Sequence, residues 1–379
     1  MKKRIVVLGA GLVGKPIALD LAKDAQTQVV LVDVNPPSAE FGQKNGIQVV
    51  QSDLSRKGAV AKVVKDADFV VNAVPGFMGY KCLSDIIEAG KDVVDIAFYP
   101  ENPMDLDALA KKHGVRVICD MGVAPGMSHL LVGHFAHQLD HVERADIFVG
   151  GLPKVRTQPW EYKAVFSPID VLEEYTRPAR LVEHGNIVVK PALTEVEPLE
   201  FEGLGTLEAF NSDGLRSLVY TIKADLMREK TLRYPGYTAK IKTLADSGFF
   251  NPDPITVNGS QVSPLSLTAK LLFKQWKLNE GEEDLTVMRI IVEGSKAGVR
   301  QRFESNLHDE YDPETRVHSM ARTTGYTASV ALRYLMQSNT LKPGITLPER
   351  LPLEEGAVAF MLEGLQQRNI HYKNTQLLL

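Results

Sequence analysis

The chain has 379 residues, a formal net charge of −4 and a sequence pI of about 6.2. This length is enough for two domains with full-sized cores, and the charge balance gives no basic surplus that would indicate a nucleic-acid partner. No apolar run approaches the roughly 20 residues that span a bilayer, and only Cys82 and Cys119 are available for disulfides. We therefore expect a soluble, cytoplasmic protein with no membrane partner and no signal peptide before its first strand.

A strand, a glycine turn and a helix are predicted at the start of the chain. The apolar run 5–8 enters Gly9-Ala10-Gly11-Leu12-Val13-Gly14, which fits the pattern G-x-G-x-x-G, and an amphipathic segment follows. In such a turn one glycine makes the bend, one lets the backbone approach a pyrophosphate, and one lets helix and strand pack closely. The pyrophosphate then lies at the positive end of the helix. We expect dinucleotide binding by Gly9, Gly11, Leu12, Val13 and Gly14.

The acid after the second predicted strand indicates which dinucleotide is bound. The run 29–32 ends in Asp33, close to the expected spacing of about 20 residues after the last glycine. Its carboxylate can accept the ribose 2′-hydroxyl and would repel a 2′-phosphate, and residues 34–37 offer no arginine. The sequence therefore favours NAD as the cofactor over NADP. A Rossmann-like sheet without a dinucleotide, or with FAD, is the alternative.

Strands alternate with helices up to residue 118. Further strands are predicted at 47–50, 69–74, 93–96 and 115–118, with helices near 60–64, 79–89 and 105–112. This rhythm predicts an α/β fold with a six-stranded, doubly wound parallel Rossmann sheet, followed by a second α/β domain. We expect an NAD-binding domain at 1–122, a second domain at 123–322, and a C-terminal segment, 323–379, that returns to the first domain.

The second domain is predicted to hold a mixed or antiparallel sheet that is open on one face. A helix is expected at 128–139, and strands near 145–150, 187–190, 206–210 and 217–223. The runs 287–293 and 298–308 are typical of a hairpin with its turn at 294–297. A late helix at 327–337 has one apolar face that could pack on the first domain.

Ligands of open α/β sheets bind beyond the carboxyl ends of the strands, and this rule selects further candidates. Asp53 could accept the adenine amino group or could cap a turn. The small turn Ala73-Val74-Pro75-Gly76 could let backbone lie against the ribose and nicotinamide.

Asp95 and Asp120 end neighbouring strands where the nicotinamide is expected, and either could take a proton or hold an ammonium group. A capping role is the alternative for Asp120. His129, at the start of the following helix, is also placed near the substrate.

Three histidines at helical spacing, His134, His137 and His141, would share one helix face. No carboxylate pattern accompanies them, so we predict a solvated face and no metal site.

In the second domain, Arg233 can hold a carboxylate through two parallel hydrogen bonds, or can form a structural salt bridge. The second domain also supplies Asn211, Ser212 and Asp213, in the stretch 208–214.

Several segments in order resemble the saccharopine dehydrogenase-like superfamily, and within it most the lysine 6-dehydrogenases. They are GAGLVG (9–14), NAVPG (72–76), CDMGVAPGMSHLLVG (119–133), FVGGLP (148–153), FSPIDVLEEYTRPARLVEHG (166–185), EAFNSDGLRSL (208–218) and TLRYPGY (231–237). Saccharopine reductases have Asp-Pro-Gly where this chain has Ala124-Pro125-Gly126, which favours the lysine 6-dehydrogenase side. The resemblance implies that the second domain is catalytic and forms a homodimer or higher homo-oligomer.

The implied reaction, in lysine metabolism, is NAD-dependent oxidative deamination of the ε-amino group of L-lysine. Asp120 or His129 would then serve as base, Arg233 would hold the α-carboxylate, and Asn211, Ser212 and Asp213 would be available for the α-ammonium. Tyr162, Glu174 and Tyr175 could reach the cleft, although packing or dimer contacts are the expected role.

One alternative reaction is a C–N-forming reductase of the saccharopine or carboxynorspermidine type. It needs a second anion pocket, which Arg156, Arg177 and Arg180 could supply. A non-catalytic NAD-binding regulator is the alternative of another class.

Overall fold

The computed structural model describes residues 2–165, 168–279 and 281–379. Phe166 and Ser167, which open one of the quoted segments, lie outside the described residues. The chain divides into two compact units: unit 1 comprises Met1–His134 and Ala321–His371, and unit 2 comprises Phe135–Met320 and Tyr372–Leu379. Within the described residues, every helix is too short or too polar to cross a membrane.

The elements follow one another along the chain in two stretches. The first stretch contains β1 (Lys3–Leu8), α1 (Gly14–Ala22), β2 (Thr27–Asp33), α2 (Ala39–Asn45), β3 (Ile47–Gln51), α3 (Ala59–Val64), β4 (Phe69–Asn72), α4 (Gly76–Glu88), β5 (Asp92–Asp95), α5 (Asp107–His113), β6 (Arg116–Ile118) and α6 (Met127–Ala136). The second contains β7 (His141–Pro153), α7 (Pro168–Thr176), β8 (Ala179–Glu183), β9 (Asn186–Lys190), β10 (Glu197–Phe201), β11 (Gly205–Asn211), α8 (Leu218–Thr221), β12 (Ala224–Arg233), α9 (Tyr237–Asp246), β13 (Ile255–Val257), β14 (Ser260–Val262), α10 (Pro264–Trp276), β15 (Asp284–Lys296), β16 (Val299–Glu310), α11 (Ser319–Gln337), β17 (Gly344–Thr346), α12 (Ala357–Gln366) and β18 (Tyr372–Leu378).

Unit 1 contains the predicted Rossmann sheet. All its strand pairs are parallel, in the order β17-β6-β5-β4-β1-β2-β3. The central apolar strands are buried, as in the run Ile5–Leu8, because helices cover both faces of such a sheet. The prediction of six strands is short by one, since β17 joins the edge beside β6. A three-residue strand so far along the chain gives no periodic signal of its own.

The late helix belongs largely to unit 1 and is longer than predicted, because it begins at Ser319 and not near residue 327. It packs on α1 through the buried carboxylate of Asp20. That carboxylate accepts hydrogen bonds from Ser329 Oγ (2.6 Å), Arg333 Nη1 (2.7 Å) and Arg368 Nε (2.9 Å). Three donors from distant positions therefore fix α1, the helix that starts at the glycine turn.

Unit 2 is built on a nine-stranded mixed sheet. Its main path is β10-β11-β12-β7-β15-β16-β18, with β8 paired to β12 and β9; β12 and β7 run parallel and the other pairs are antiparallel. The predicted hairpin is confirmed as β15 and β16, but its turn is the two-residue Ala297-Gly298, with φ of +49° and +79°. The final strand, β18, pairs with β16 and so belongs to unit 2 and not to the Rossmann unit.

Two further predictions about unit 2 are wrong. The stretch 217–223 is not a strand, because it contains α8, and the strand β12 follows it at Ala224. Charged residues interrupt the alternation of apolar and polar side chains along β12, so apolar periodicity does not predict this strand. The sheet is also not open on one face, because β7 and β15 are buried along most of their length on both sides. One face packs on α7, α9 and α10 around Phe210, Tyr237 and Trp276.

Candidate active site

The glycine turn of unit 1 is closely packed on one side and open on the other. A Cβ on Gly9, whose φ is +98°, would lie 2.3 Å from the carbonyl oxygen of Ala73, and one on Gly14 would lie 2.0 Å from that of Gly9. A Cβ on Gly11 would meet nothing within 4 Å, and Leu12 is exposed. The turn therefore packs tightly between β1 and β4 and leaves Gly11 facing open space, as a pyrophosphate at the start of α1 requires.

Asp33 is fixed against this turn by backbone hydrogen bonds. Its Oδ2 accepts from the amide of Ala10 at 2.7 Å, and its Oδ1 accepts from the amide of Asn35 at 2.8 Å. Each carboxylate oxygen retains acceptor capacity for a ribose hydroxyl, since an ionised carboxylate offers about four lone-pair sites. The residues present thus fit a dinucleotide whose ribose carries a free 2′-hydroxyl.

Asp53 closes a local turn. Its Oδ1 accepts from the amide and hydroxyl of Ser55, at 3.1 and 2.6 Å, and its Oδ2 accepts from Arg56 Nε at 3.1 Å. These bonds, those from Ser55 first, lower the pKa of Asp53. The capping role foreseen as an alternative is therefore present in the structure, and the adenine contact stays a prediction.

The candidate nicotinamide turn follows β4. The amide of Ala73 donates to the carbonyl of Leu8, Val74 is buried, and Pro75 caps the start of α4. This geometry presents short side chains and backbone at the carboxyl edge of the sheet, beside the glycine turn.

Asp120 is held in an uncommon conformation at the same edge. It is buried and has φ of +53°, in the left-handed region that few non-glycine residues adopt. The residues on either side are bonded to other strands: the amide of Cys119 donates to Thr346 at 3.3 Å, and that of Met121 donates to the carbonyl of Asp95 at 3.0 Å. These backbone hydrogen bonds on either side of Asp120 fix the position of its carboxyl group.

His129 lies in the same unit, on the first turn of α6. The side chain is buried, and its Nδ1 is 2.9 Å from the hydroxyl of Ser128. The partner of Nδ1 sets which ring nitrogen carries the proton. Unit 1 therefore supplies both predicted bases, together with all the predicted cofactor residues.

Arg233, in unit 2, has a carboxylate partner within the protein. Its Nη2 donates to Glu174 Oε2 at 2.8 Å and to the hydroxyl of Tyr175 at 3.3 Å, and its guanidinium carbon lies 4.5 Å from the ring centre of Tyr162. The guanidinium is buried among these rings. The structural salt bridge considered in the sequence analysis is therefore present, and Tyr162 and Tyr175 pack in the core as expected.

The structure does not bring Asn211 together with Arg233. Asn211 pairs with Lys230 across β11 and β12, and side chains alternate along a strand, so Asn211 and Arg233 project from opposite faces of the sheet. The prediction that both serve one pocket is wrong for this reason. Asp213 accepts from Arg180 at 2.9 Å through each of its oxygens, so its charge is also compensated locally.

Sequence reasoning missed Glu229, a buried acid on the same face of β12 as Arg233. Its Oε2 accepts from Ser212 Oγ at 2.7 Å and from the amide of Gly214 at 3.1 Å. Burial raises the pKa of Glu229 to about 8, and the nearby charges of Glu174 and Asp213 add to the effect. No local pattern marked this residue, because β12 was not recognised as a strand in the sequence.

The remaining predicted arginines and histidines form no common site. Each arginine has a carboxylate partner: Arg156 with Glu161, Arg177 with Glu173, and Arg180 with Asp213. The prediction that the three histidines share one helix face is wrong, because His134 lies in α6, His137 follows the end of α6 and His141 begins β7. Among the residues that the structure describes, no cluster of His, Cys, Asp and Glu could hold a metal ion.

Two family models match the chain. The "Saccharopine dehydrogenase NADP binding domain" matches residues 5–118, and the "Saccharopine dehydrogenase C-terminal domain" matches residues 122–370. In structure, the chain is similar to the apo, histidine-tagged saccharopine dehydrogenase (L-Glu forming) of Saccharomyces cerevisiae. The TM-score is 0.81 at 19% identity, over 99% of this chain and 100% of the other. At this identity the likeness concerns the fold.

Curated relatives are similar over part of the chain. Mouse (Mus musculus) mitochondrial alpha-aminoadipic semialdehyde synthase is 26% identical over 281 residues, which is 70% of this chain. Saccharopine dehydrogenase [NADP(+), L-glutamate-forming] of Saccharomyces cerevisiae is 24% identical over 269 residues, 67% of this chain and 60% of the yeast protein. The match spans only 30% of the length of the mouse protein.

Proposed function

The chain belongs to the saccharopine dehydrogenase family of oxidoreductases, and on that premise we propose that it oxidatively deaminates L-lysine with NAD. The carbon that bears the ε-amino group would lose a hydride to NAD⁺ and the nitrogen a proton, which gives an imine. Water would then hydrolyse this imine to ammonia and the 6-semialdehyde. The printed names of the relatives, which concern saccharopine and aminoadipic semialdehyde, support a substrate from lysine metabolism.

The observation that carries the choice of cofactor is Asp33. Its carboxylate lies at the end of β2, bonded to the amide of Ala10 in the glycine turn, where the adenine ribose of a bound dinucleotide is expected. A negative charge there favours a ribose diol and disfavours a 2′-phosphate. NAD is therefore our proposal, although the relatives' printed names and the matched family model refer to NADP.

The cofactor, when bound, supplies the acceptor for a hydride from the carbon next to the amine. The chain's own contribution is to seat the dinucleotide with Gly9, Gly11 and Gly14, and to manage protons. The amine must be neutral before its carbon can be oxidised, so a nearby basic group must take the ammonium proton. Asp120 and His129 are our candidates for that base.

We assign the substrate's α-carboxylate to Arg233, as the resemblance implies. Glu174 is the acid that a substrate carboxylate would replace at this guanidinium, because it makes the 2.8 Å ion pair in the structure. The planar guanidinium can bind either carboxylate with two parallel bonds.

A C–N-forming reductase of the saccharopine or carboxynorspermidine type is the second candidate, favoured by the relatives' printed names. That substrate carries further carboxylates and needs a second anion pocket. The arginines proposed for it, Arg156, Arg177 and Arg180, are each paired with a local acid, as Arg233 is with Glu174. Ion pairing therefore does not distinguish the two candidates, and the choice between them rests on the substrate assay.

The deciding experiment follows the absorbance of reduced nicotinamide with L-lysine or saccharopine, and with NAD⁺ or NADP⁺. We expect turnover with L-lysine and NAD⁺. Turnover with saccharopine alone would replace our proposal by the second candidate. Tight NAD⁺ binding with no turnover on either substrate or on a panel of amines would favour a non-catalytic regulator.

The cofactor assignment has its own test in the double variant Asp33→Ala/Asn35→Arg. It removes the repelling carboxylate and adds a cation that can pair with a 2′-phosphate. We expect the preference for NAD⁺ over NADP⁺ to fall by at least about tenfold, which corresponds to about 1.4 kcal/mol. Asn35→Arg alone is the control, and unchanged discrimination in the double variant would mean that the 2′-position is recognised elsewhere.

A further inference from the structure

Glu229 ends a chain of hydrogen bonds on the face of β12 that also bears Arg233. Its Oε2 accepts from Ser212 Oγ at 2.7 Å and from the amide of Gly214 at 3.1 Å. Because the Ser212 hydroxyl gives its proton to Glu229, it accepts the proton of Thr231 Oγ1, which is 2.7 Å away. A Cβ on Gly214 would lie 2.4 Å from Cδ of Glu229, so the carboxyl is packed directly against the backbone of Gly214. This surrounding structure fixes the position of the Glu229 carboxyl.

The second oxygen of this carboxyl is unused. Both donors reach Oε2, and Oε1 accepts a hydrogen bond from none of the described residues. Burial raises the pKa of Glu229 to about 8, so the side chain carries a proton at pH 7. Since Oε2 is occupied by two donors, that proton belongs on Oε1. Oε1 is therefore the position at which a donor group of a ligand can replace the proton.

Arg233, four residues further along the same face of β12, has an unused donor. Four strand residues span about 13 Å between Cα atoms. The guanidinium leans back along the strand towards Glu229, because its Nη1 donates to the carbonyl of Leu232 at 2.9 Å. Nη2 is bonded to Glu174 and Tyr175, but the buried Nε has no acceptor among the described residues. A buried N–H without an acceptor is costly, so Nε indicates a place for the carboxylate of a ligand.

The charges around these two groups are balanced except for Glu229. Arg233 is paired with Glu174 at 2.8 Å, and Arg180 with Asp213 at 2.9 Å. Glu229 has no ion-pair partner among the described residues, and the carboxylates of Glu174 and Asp213 face it from α7 and from the loop after β11. Ionised Glu229 therefore requires a cation from outside the protein. An α-amino acid carries both groups that are missing here: a carboxylate for Arg233 Nε and an ammonium for Glu229 Oε1.

We propose that Glu229 binds the α-ammonium of the amino-acid substrate through Oε1, beside the α-carboxylate held by Arg233, and so selects α-amino acids over amines that lack this group. The inference rests on the proposed function, which places the α-carboxylate at Arg233. It gives Glu229 the role for which the resemblance suggested Asn211, Ser212 and Asp213, with Ser212 acting through its hydrogen bond to Glu229. On binding, the ammonium replaces the proton on Oε1, and that proton is released to solvent.

The first test compares L-lysine with 6-aminohexanoate, which is lysine without its α-amino group, on the wild type and Glu229→Gln. The affinity is read as KM, or as Ki where the compound is not oxidised. Glutamine keeps an oxygen for Ser212 and Gly214 but cannot become charged. We expect KM for L-lysine to rise about tenfold or more, and the affinity for 6-aminohexanoate to change little. An equal change for both compounds would overturn the inference, because a structural effect does not depend on the α-amino group. Glu197→Gln, which alters an acid paired with Lys230 on the opposite face of β12, is the control and should leave the ratio unchanged.

Calorimetry gives a readout that needs no turnover and separates this inference from the proposed function. Binding at pH 7 is measured in two buffers of different ionisation enthalpy, which gives the number of protons released. Both compounds carry the same ε-ammonium, so we expect the wild type to release about one proton more with L-lysine than with 6-aminohexanoate, and Glu229→Gln to show no such difference. Equal release by the wild type with both compounds, or no binding of L-lysine, would overturn the inference. A wild type that binds L-lysine with the extra proton release but does not oxidise it would refute the proposed function and support the site.

Discussion

Replacing Glu229 by glutamine should make the protein more resistant to alkaline pH. Glu229 is buried on β12, where its Oε2 accepts from Ser212 and Gly214. Glutamine keeps an oxygen that can accept both bonds and has no proton to lose. The variant therefore isolates the cost of placing a carboxylate charge at this position.

The magnitude follows from the difference in pKa between the folded and unfolded chain. Burial raises the folded-state pKa of Glu229 from 4.5 to about 8, so between these values the unfolded chain has lost a proton that the folded chain retains. Stability then falls as pH rises through this window, by about 1.4 kcal/mol for each pH unit. Over the interval from 4.5 to about 8, the free energy of unfolding falls by at most roughly 5 kcal/mol. This stability is fully present below pH 4.5 and is lost above pH 8.

The assay is denaturant unfolding of the wild type and Glu229→Gln at pH 5 and pH 9. We expect similar stability of the two proteins at pH 5 and an advantage of several kcal/mol for the variant at pH 9. Glu202→Gln, which changes an exposed acid of the same unit, is the matched control and should show no such divergence. A constant difference between the wild type and Glu229→Gln at both pH values would refute the reasoning, because Glu229 would then titrate alike in both states.

Two other predictions concern the glycine turn and the buried ion pair. Gly14→Ala should lower the melting temperature and abolish NAD⁺ binding, since its Cβ would lie 2.0 Å from the carbonyl oxygen of Gly9. Gly11→Ala should leave the melting temperature unchanged and weaken NAD⁺ binding in calorimetry by about tenfold or more; equal affinity would place the pyrophosphate elsewhere. Arg233→Ala should lower the free energy of unfolding by roughly 3 kcal/mol, which is at the lower end for a buried ion pair because Glu174 is partly exposed. The same variant should raise KM for L-lysine about tenfold or more. Arg233→Met combined with Glu174→Gln should recover the stability but not the KM, and recovery of both would make the pair purely structural.

Local sequence was sufficient wherever one short segment defines a structure. The turn from Gly9 to Gly14 needs glycine at fixed positions because backbone from β1 and β4 closes on it, and those positions are visible in the sequence. The apolar strands of the Rossmann sheet and the hairpin of β15 and β16 also follow from local periodicity. Asp33 could be placed because it ends a predicted strand at a known spacing from the turn.

Placement of the charged residues of unit 2 depended on strand register and long-range pairing. In the sequence, Asn211 follows the predicted strand 206–210 and Arg233 lies beyond the predicted strand 217–223; only the pairing of β11 with β12 puts them on opposite faces. Likewise, the partner of the Arg233 guanidinium is Glu174, 59 positions away, and the residues around Arg233 do not predict this pair.

By itself, then, the sequence determined the alternation of strands and helices up to residue 118 and the glycine turn, because those features arise from residues that are neighbours along the chain. Only the tertiary structure decided the environments of Asp95 and Glu229, since burial and the charges of distant residues raise their pKa values. It also decided that β17 would complete the first sheet and β18 the second, because strand pairing joins segments far apart in sequence. Such effects depend on distances in space, which no local pattern of residues encodes.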